Sequence, residues 1–400
     1  MNYDFDVLIV GGGLVGSSLA LALRGSPLRI AVIESVPEQA RLESSAGERA
    51  LALAYGSTQI LDQVGVWRGA EPKAAPIRHI HVSDRGQFGK LRMDAKQEGV
   101  PALGYVVTAR TLEEEAAAKL RQSGITQICP ASVIGLKAGG GAVHVSLKAG
   151  NDSSNLSARL LVAADGGNST TRQLLEIGQS TRDYGQTAIV TEVETGKGSD
   201  FTAYERFTPV GPLAFLPMAK KRYSVVWTQK TDDAADILAM PANAFIETLQ
   251  SAFGFWLGKI TLASRRQAFP LKLIRSERMT DERVVLVGNA MHQLHPVAGQ
   301  GLNLGLRDVA LLADMILSRL EFAEDIGDKA FLDRYAQARL ADLNRVIRFT
   351  DSTVSLFSTE FKPVAVARNA GLLLLDRFLP GKRILARYAM GLGQRIPRFG

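Results

Sequence analysis

Residues 5–16 read Phe5-Asp6-Val7-Leu8-Ile9-Val10-Gly11-Gly12-Gly13-Leu14-Val15-Gly16. The run Asp6–Val10 is short and almost wholly apolar, as a strand buried on both faces is, and it stops at three glycines. The segment from Ser17 to Leu23 suits a helix packed closely on that strand, and Arg29–Ile33 makes a second buried strand closed by Glu34. Together they form a βαβ unit. Gly11-x-Gly13-x-x-Gly16 occupies its first turn, and Glu34 follows 18 residues after Gly16. The first glycine makes the tight turn, the second lets backbone approach a pyrophosphate, and the third permits close helix–strand packing. The helix N-terminus offers unpaired N–H groups and partial positive charge to phosphates. Glu34 can accept hydrogen bonds from a ribose diol, which favours FAD or NAD over NADP.

Two more strand-to-turn segments follow far downstream. Leu161-Val162-Ala163-Ala164-Asp165-Gly166 ends a buried strand in Asp-Gly, with Arg172 beyond it. Val284-Val285-Leu286-Val287-Gly288-Asn289 ends another in Gly-Asn, then continues through His295-Pro296 into Gly299-Gln300-Gly301-Leu302-Asn303 and on to Arg307-Asp308. Between these landmarks, Thr108–Arg121 has a capping Thr108, early acids, late bases and Gly124 as a stop, which predicts a helix. Residues 131–165 predict a three-stranded meander turning at Gly139-Gly140-Gly141 and Gly150–Asn155. Residues 185–275 hold strand-like runs, several prolines and a helix at Ala242–Phe253, and Ile77–Val82 alternates as a strand does. Leu306–Leu320 predicts a helix with a core-facing apolar stripe. The expected organisation is a discontinuous first domain at 1–76, 106–184 and 276–345. A sheet-rich second domain comprises 77–105 and 185–275, and a basic helical segment spans 346–400.

These three ordered motifs resemble those of the group A flavoprotein aromatic hydroxylases, the family of p-hydroxybenzoate hydroxylase, and the likeness runs through most of the chain. The resemblance implies an α/β fold: a Rossmann-like FAD-binding domain, an inserted sheet-rich substrate domain and a C-terminal helical segment. It implies that Gly11, Gly13, Gly16 and Glu34 bind the ADP half of FAD. Arg49 and Arg110 match two cofactor-contacting arginines. Asp165 and Gly166 match the motif associated with FAD and the nicotinamide donor. Asn289 stands where the family usually has the aspartate that bonds the ribityl chain; its amide oxygen still accepts a hydroxyl hydrogen bond, without charge. Pro296, Gly299, Gly301 and Asn303 match the turn whose N–H groups suit the anionic edge of reduced flavin.

The implied reaction is NAD(P)H- and O2-dependent monooxygenation through a flavin C4a-hydroperoxide, with the cofactor carrying the hard chemistry. No acid–base pair or nucleophile stands out, so no catalytic side chain is assigned; a structural role is expected for His295, His79 and His81. Within the family, His81–Gly86, Glu205–Thr208, Gly211–Met218 and Ser251–Gly254 resemble the 2-polyprenyl-6-methoxyphenol hydroxylases of ubiquinone biosynthesis. That implies a prenylated phenol substrate and other ubiquinone-biosynthesis proteins as partners. Phe215, Leu216, Pro217 and Met218 are candidates for lining the ring or prenyl pocket, with ordinary core as the competing reading. Attack at another ring position, another aromatic substrate, or a non-catalytic flavin-binding assembly subunit are the alternatives; only Asn289 favours the last.

The composition of the 400 residues, 46% hydrophobic and 22% charged, excludes a disordered chain. The formal net charge is +7. Residues 361–400 hold eight basic residues against the single acid Asp376, so the whole excess lies there. A nucleic-acid binder carries its basic footprint on a folded face, and none is expected here. The single cysteine, Cys129, excludes an internal disulfide framework, and no Cys/His cluster has zinc spacing. With no signal-peptide pattern and no run of about 18–20 apolar residues, a cytoplasmic protein is expected. Its tail is expected to touch a membrane peripherally. Helical projection puts Ile384, Leu385, Tyr388 and Leu392 on a packed face, and Lys382, Arg383 and Arg387 outside it.

Overall fold

Val7, Leu8 and Ile9 are wholly buried, which is why their strand tolerates no polar residue between Val7 and Val10. The strand Phe5–Val10 lies inside an eight-stranded sheet, flanked in parallel by Ile30–Ile33 and by the end of Asp152–Ala163. Thr126–Ile128 and Val284–Leu286 extend the sheet in parallel on the two sides. The computed structural model describes residues 3–198, 200–262, 264–293, 300–359, 361–393, 397 and 399.

The meander forms with antiparallel strands Ser132–Gly139, Ala142–Ala149 and Asp152–Ala163; its second turn is tighter than the expected Gly150–Asn155, because Asp152–Asn155 already pair with Ser146–Ala149. The last of these does two jobs: its first part closes the meander and its second part runs beside Phe5–Val10. Helix Ala109–Gln122 starts on Thr108, whose hydroxyl accepts from the Thr111 N–H at 3.3 Å. It packs with Leu14–Ala22 and Gln300–Leu320 over one face of this sheet.

A second, nine-stranded sheet brings together segments distant in sequence. Thr202–Phe207 pairs in parallel with His79–Asp84, and antiparallel with Pro212–Ala219. Gln179–Thr195, Arg222–Lys230 and Gln267–Ser276 continue it, and His292–Gln293 pairs at its edge. Its outer face is closed by the helices Thr231–Ala239 and Ala242–Phe253 over Ile189, Leu213, Phe215, Val225 and Trp227. Its inner face meets a small sheet of Ala50–Ala54, Gly104–Thr108 and Ala75–Ile77, with Ala203, Leu216 and Met218 packed against Ile77 and Val106.

Three helices end the chain: Lys329–Ser358, Lys362–Arg377 and Leu379–Ala389. The expected faces of the last are corrected. Lys382 is buried, with Nζ donating to the Asp376 carbonyl at 3.1 Å and lying 3.6 Å from its carboxylate. Ile384 is 71% exposed instead. The packed face runs through Lys382, Leu385, Ala386 and Met390, because Asp376 needs a second cation beside Arg92 and recruits the lysine inward. Arg368 is also internal, paired with Asp84 at 3.0 Å and lying over the Phe357 ring. Of the tail's described cations, Arg377, Arg383 and Arg387 face solvent; Arg395 and Arg398 fall outside the described residues.

Phe215 stacks on Phe253 with ring centroids 3.8 Å apart. Phe215→Ala is expected to destabilise the second sheet by about 3–5 kcal/mol. Denaturant unfolding followed by tryptophan fluorescence checks this, since Trp227 shares the cluster. A loss under about 1 kcal/mol would show that the ring is not core.

Candidate functional site

Gly11 and Gly13 of the fingerprint border a cavity of about 310 Å³, lined also by Glu34, Ser132, Asp165 and Thr170. Gly11 has φ +104°, and a Cβ there would strike the Ala164 carbonyl. A Cβ on Gly16 would strike the Gly11 carbonyl oxygen, so the helix could not approach the turn. Around Gly13 a Cβ would meet nothing within 4 Å: that side is open. No side chain caps the helix Leu14–Ala22, leaving its first amides unspent. Glu34 is fixed by the Gly12 N–H, 2.7 Å from Oε2, and by the Val36 N–H, 2.8 Å from Oε1.

Arg49 and Arg110 come together here. The Ala109 N–H donates to the Arg49 carbonyl at 3.0 Å, and the Arg110 guanidinium donates to the Ser44 carbonyl at 3.2 Å. Burial pushes the nearby Glu113 carboxyl up, while Arg41, Arg49 and Arg110 pull it back. Arg41, which sequence reasoning missed, donates to the Gly12 carbonyl and lies 3.9 Å from Glu34. No spacing rule points to it; only the folded turn brings it to the fingerprint.

Asp165 accepts from the Thr171 N–H at 3.0 Å through Oδ2. Its Oδ1 is buried without a partner among the described residues, on the wall of the cavity. An orphaned acceptor of this kind fits a hydroxyl donor from a bound group. Arg172 ties the second motif to the third, donating to the Gly167 and Ala290 carbonyls, each at 3.0 Å. Asn289 is exposed on the short turn Gly288–Ala290. The cavity, the open glycine turn, the ribose-type acid and the orphaned Asp165 oxygen therefore fit FAD.

Beneath the third motif lies a buried ionic network. The Asp308 carboxylate accepts from the Gly288 N–H at 2.9 Å, contacts His292 Nε2 at 3.0 Å and accepts from Arg339 at 2.7 Å. Arg339 also pairs with Asp342 at 2.7 Å. Burial pushes the Asp308 carboxyl up, but Arg339, His292 and the Gly288 N–H together hold it below its usual range.

Of the implied flavin turn, His295, Pro296 and Gly299 lie outside the described residues. Gly301 and Asn303 lie in the first turn of Gln300–Leu320. Asn303 is buried, its Oδ1 accepting from the Ala54 N–H at 2.8 Å and its Nδ2 donating to the Ala52 carbonyl at 3.0 Å. Its side chain anchors the helix start to the strand Ala50–Ala54.

The four residues read as pocket candidates divide by strand alternation. Phe215 is core and Pro217 is buried, whereas Leu216 and Met218 are half-buried on the inner face. Val190, Ala214 and Val226 share that face and are also half-buried. The outer face is filled and this one is not: it is an apolar wall left open opposite the small sheet. A second hollow of about 590 Å³, lined by Arg85, Trp227, Gln229 and Glu247 among others, contains none of the three motifs. His79 sits between Asp94 and Asp200, at 3.5 and 3.6 Å. His81 stacks on Trp256, its pKa lowered to about 4 chiefly by burial. Among the described residues no cluster of three or more His, Cys, Asp or Glu could hold a metal.

The family described as FAD binding domain matches residues 4–350. The chain is 39% identical to ubiquinone hydroxylase UbiL of Rhodospirillum rubrum, over 98% of this chain and 92% of that one. It is 30% identical to 3-demethoxyubiquinol 3-hydroxylase of Escherichia coli, over 98% of this chain and all of that one. Among solved structures, p-nitrophenol 4-monooxygenase PnpA from Pseudomonas putida shares the fold, with TM-score 0.78 at 18% identity over 99% of this chain and 100% of that one.

Asp308→Asn leaves Arg339 short of its partner in the core, and a loss of about 3–5 kcal/mol is expected. The native carboxyl sits below its usual value of about 4, so its contribution is whole above that value. It is lost as the pH falls through the lower, folded value. The stability difference between wild type and variant, measured by denaturant unfolding, should therefore narrow at acid pH; a constant difference would contradict the ion-pair account.

Proposed function

This chain belongs to the FAD binding domain family of flavin-dependent aromatic hydroxylases, and from that premise we propose that it hydroxylates the ring of a polyprenyl phenol. The reaction takes 2-polyprenyl-6-methoxyphenol to 2-polyprenyl-6-methoxy-1,4-benzoquinol. The protein is an FAD-dependent monooxygenase of ubiquinone biosynthesis, with NAD(P)H as electron donor and O2 as co-substrate. The observation that carries this reading is the full-length likeness to ubiquinone hydroxylases, together with a fingerprint cavity whose open turn and orphaned acid suit FAD.

Bound FAD supplies the activation of O2. The chain binds, orients and shields. Gly11, Gly13 and Gly16 take the pyrophosphate side, Glu34 the ribose diol, and Arg41, Arg49 and Arg110 offset phosphate charge. Asp165 Oδ1 accepts a cofactor hydroxyl, Gly166 keeps the turn open beside it, and Asn289 offers its amide to the ribityl chain. Gly301 and Asn303, in the first turn of Gln300–Leu320, would offer backbone N–H groups to the flavin edge; Pro296 and Gly299 of the same motif lie outside the described residues. Residues 1–76, 106–184 and 276–345 form the FAD-binding part, and 77–105 with 185–275 the substrate part. The apolar wall of Val190, Ala214 and Val226, bordered by Leu216 and Met218 where the small sheet packs, takes the substrate ring and excludes water from it.

A second reading differs in the carbon attacked, and the likeness to 3-demethoxyubiquinol 3-hydroxylase favours it. Incubating the purified flavoprotein with NAD(P)H, O2 and each candidate phenol, with product structure determined by NMR, separates the two. The 1,4-benzoquinol is expected. Hydroxylation of 3-demethoxyubiquinol alone would select the second reading, and bound FAD with no product from either phenol would overturn both.

A polyprenyl phenol partitions into lipid, and no helix among the described residues is long and apolar enough to cross a membrane. The last two helices expose Leu374, Phe378, Leu379 and Ile384 beside Arg377, Arg383 and Arg387. This edge suits peripheral contact with an anionic bilayer, where each arginine contributes about 1 kcal/mol. Docking with other ubiquinone-biosynthesis proteins would use the same segment, 361–400. Replacing Arg377, Arg383 and Arg387 by alanine, or Phe378 and Ile384 by serine, should weaken co-sedimentation with anionic liposomes while FAD stays bound. Unchanged sedimentation in both variants would remove the membrane role.

A further inference from the structure

Glu205 is a carboxylate in an otherwise apolar row of side chains across the second sheet. It lies on the strand Thr202–Phe207, directly across from Ala214 on one side and Val82 on the other. The same row continues through Val226 and Val190 in one direction and Leu91 in the other. This is the inner, half-open wall. Two residues before Glu205, Ala203 packs against Ile77 and Val106; two residues after it, Phe207 stacks on Phe357 at 3.8 Å. Glu205 thus occupies the gap between two packed zones. One zone includes Ala50 on the strand to which Asn303 ties the helix Gln300–Leu320, and the other includes Tyr55 just beyond that strand.

Two other acids of this sheet have cations: Asp84 has Arg368, and Glu192 has Arg222. Glu205 has no hydrogen bond or ion pair among the described residues, although it is hemmed in by protein and only partly accessible. A carboxyl in apolar surroundings costs stability unless it is paired. A purely structural position would have been filled by a residue like its neighbours Ala214 and Val82.

We propose that Glu205 takes the proton of the substrate's ring hydroxyl, a role that rests on the aromatic-hydroxylase reading above. The phenol O–H bond breaks, its proton forms an O–H bond with a Glu205 carboxylate oxygen, and the bonding pair stays on the phenolate oxygen. That pair raises electron density at the ortho and para carbons, which the oxygen-transfer step of the proposed hydroxylation then uses. Burial alone pushes the Glu205 carboxyl up to about 7, close to the value at which a general base works best at neutral pH. The ionisable groups on surrounding elements do not reach it. Asp84 is neutralised by Arg368, Arg206 lies over Trp256 on the outer face, Glu192 is paired with Arg222, and Pro212–Ala219 carries no ionisable side chain. Lys90, Arg92 and Asp94 of the next strand, His79 and His81 of the adjoining one, and Tyr55 likewise leave burial as the sole cause of the shift.

The test compares wild type, E205Q and E205D as FAD-loaded enzymes on a short-chain 2-prenyl-6-methoxyphenol, measuring product formation against pH. Wild type should rise through about pH 7 and level off. E205Q should keep its FAD and its circular dichroism but lose about 10²-fold in kcat at neutral pH. Its rate should recover as the pH approaches the phenol's own pKa of about 10, where ionised substrate needs no base. E205D should retain part of the neutral-pH rate. A wild-type rate and pH profile in E205Q would overturn the proposal. So would a uniform loss without recovery at high pH, or loss of FAD from both variants, each of which marks a structural residue. Absence of product from wild type would instead defeat the functional reading beneath it.

Discussion

Asp308 has no access to solvent, and three parts of the molecule meet on its two oxygens. One oxygen receives the Gly288 N–H and the His292 ring; the other receives Arg339 from the long helix that follows. Burying a carboxylate this deeply is costly, and only a full set of partners offsets the cost. The consequence is positional. Gly288 and His292 belong to the third motif, Asp308 to the helix Gln300–Leu320, and Arg339 to Lys329–Ser358. The end of the last parallel strand therefore cannot shift relative to the start of the helix Gln300–Leu320. Arg172 extends the constraint by holding Gly167 of the second motif to Ala290 of the third. The three motifs are far apart in sequence; Arg172 joins the second to the third, and the parallel pairing of Phe5–Val10 with the end of Asp152–Ala163 joins the first to the second.

The same logic explains why the second sheet has one sealed and one open face. The outer face is covered by helices supplied within the same stretch of chain, so Ile189, Leu213, Phe215 and Val225 become fully buried. The inner face depends on contacts with distant segments, which close it at Ala203, Leu216 and Met218 and again at Phe207, but not between. An apolar surface left open inside a folded chain is where a bound ring gains most from leaving water. Glu205 stands in that opening, and its placement gives the wall a chemical polarity that Val190, Ala214 and Val226 lack.

What was legible in the sequence follows from locality. The βαβ unit, the meander, the Thr108 cap and the helix at Ala242–Phe253 rest on periodicity and turn chemistry spanning a few residues, and each formed as those rules require. Asp165 was legible as a motif, yet the unpartnered state of its Oδ1 depends on what the fold brings near. Arg41 reaches the fingerprint only because the segment after the second strand folds back over Gly12. Glu205 was in plain view within Glu205–Thr208, but one strand has two faces and the sequence does not say which is sealed. Phe215 and Leu216 illustrate the same ambiguity, adjacent in the chain and opposite in role.

The tail shows how a correct total can hide a different distribution. The charge excess does sit in residues 361–400, but Arg368 and Lys382 spend their charges on Asp84 and Asp376 inside the fold. Both partners were invisible to a helical wheel: Asp84 lies 284 residues from Arg368, and Asp376 reaches Lys382 only where two helices turn on each other. With two cations removed, the described surface where the last two helices meet holds Arg377, Arg383 and Arg387 beside the exposed Leu374, Phe378, Leu379 and Ile384. Burying such side chains contributes about 1.5–3 kcal/mol each, against about 1 kcal/mol per arginine near an anionic surface. The lipid contact proposed for this edge would therefore be led by apolar insertion, with charge setting the orientation. Salt screens only the smaller part. That balance suits the proposed polyprenyl phenol substrate, which would be drawn from the acyl region of a bilayer and not merely met at its charged surface.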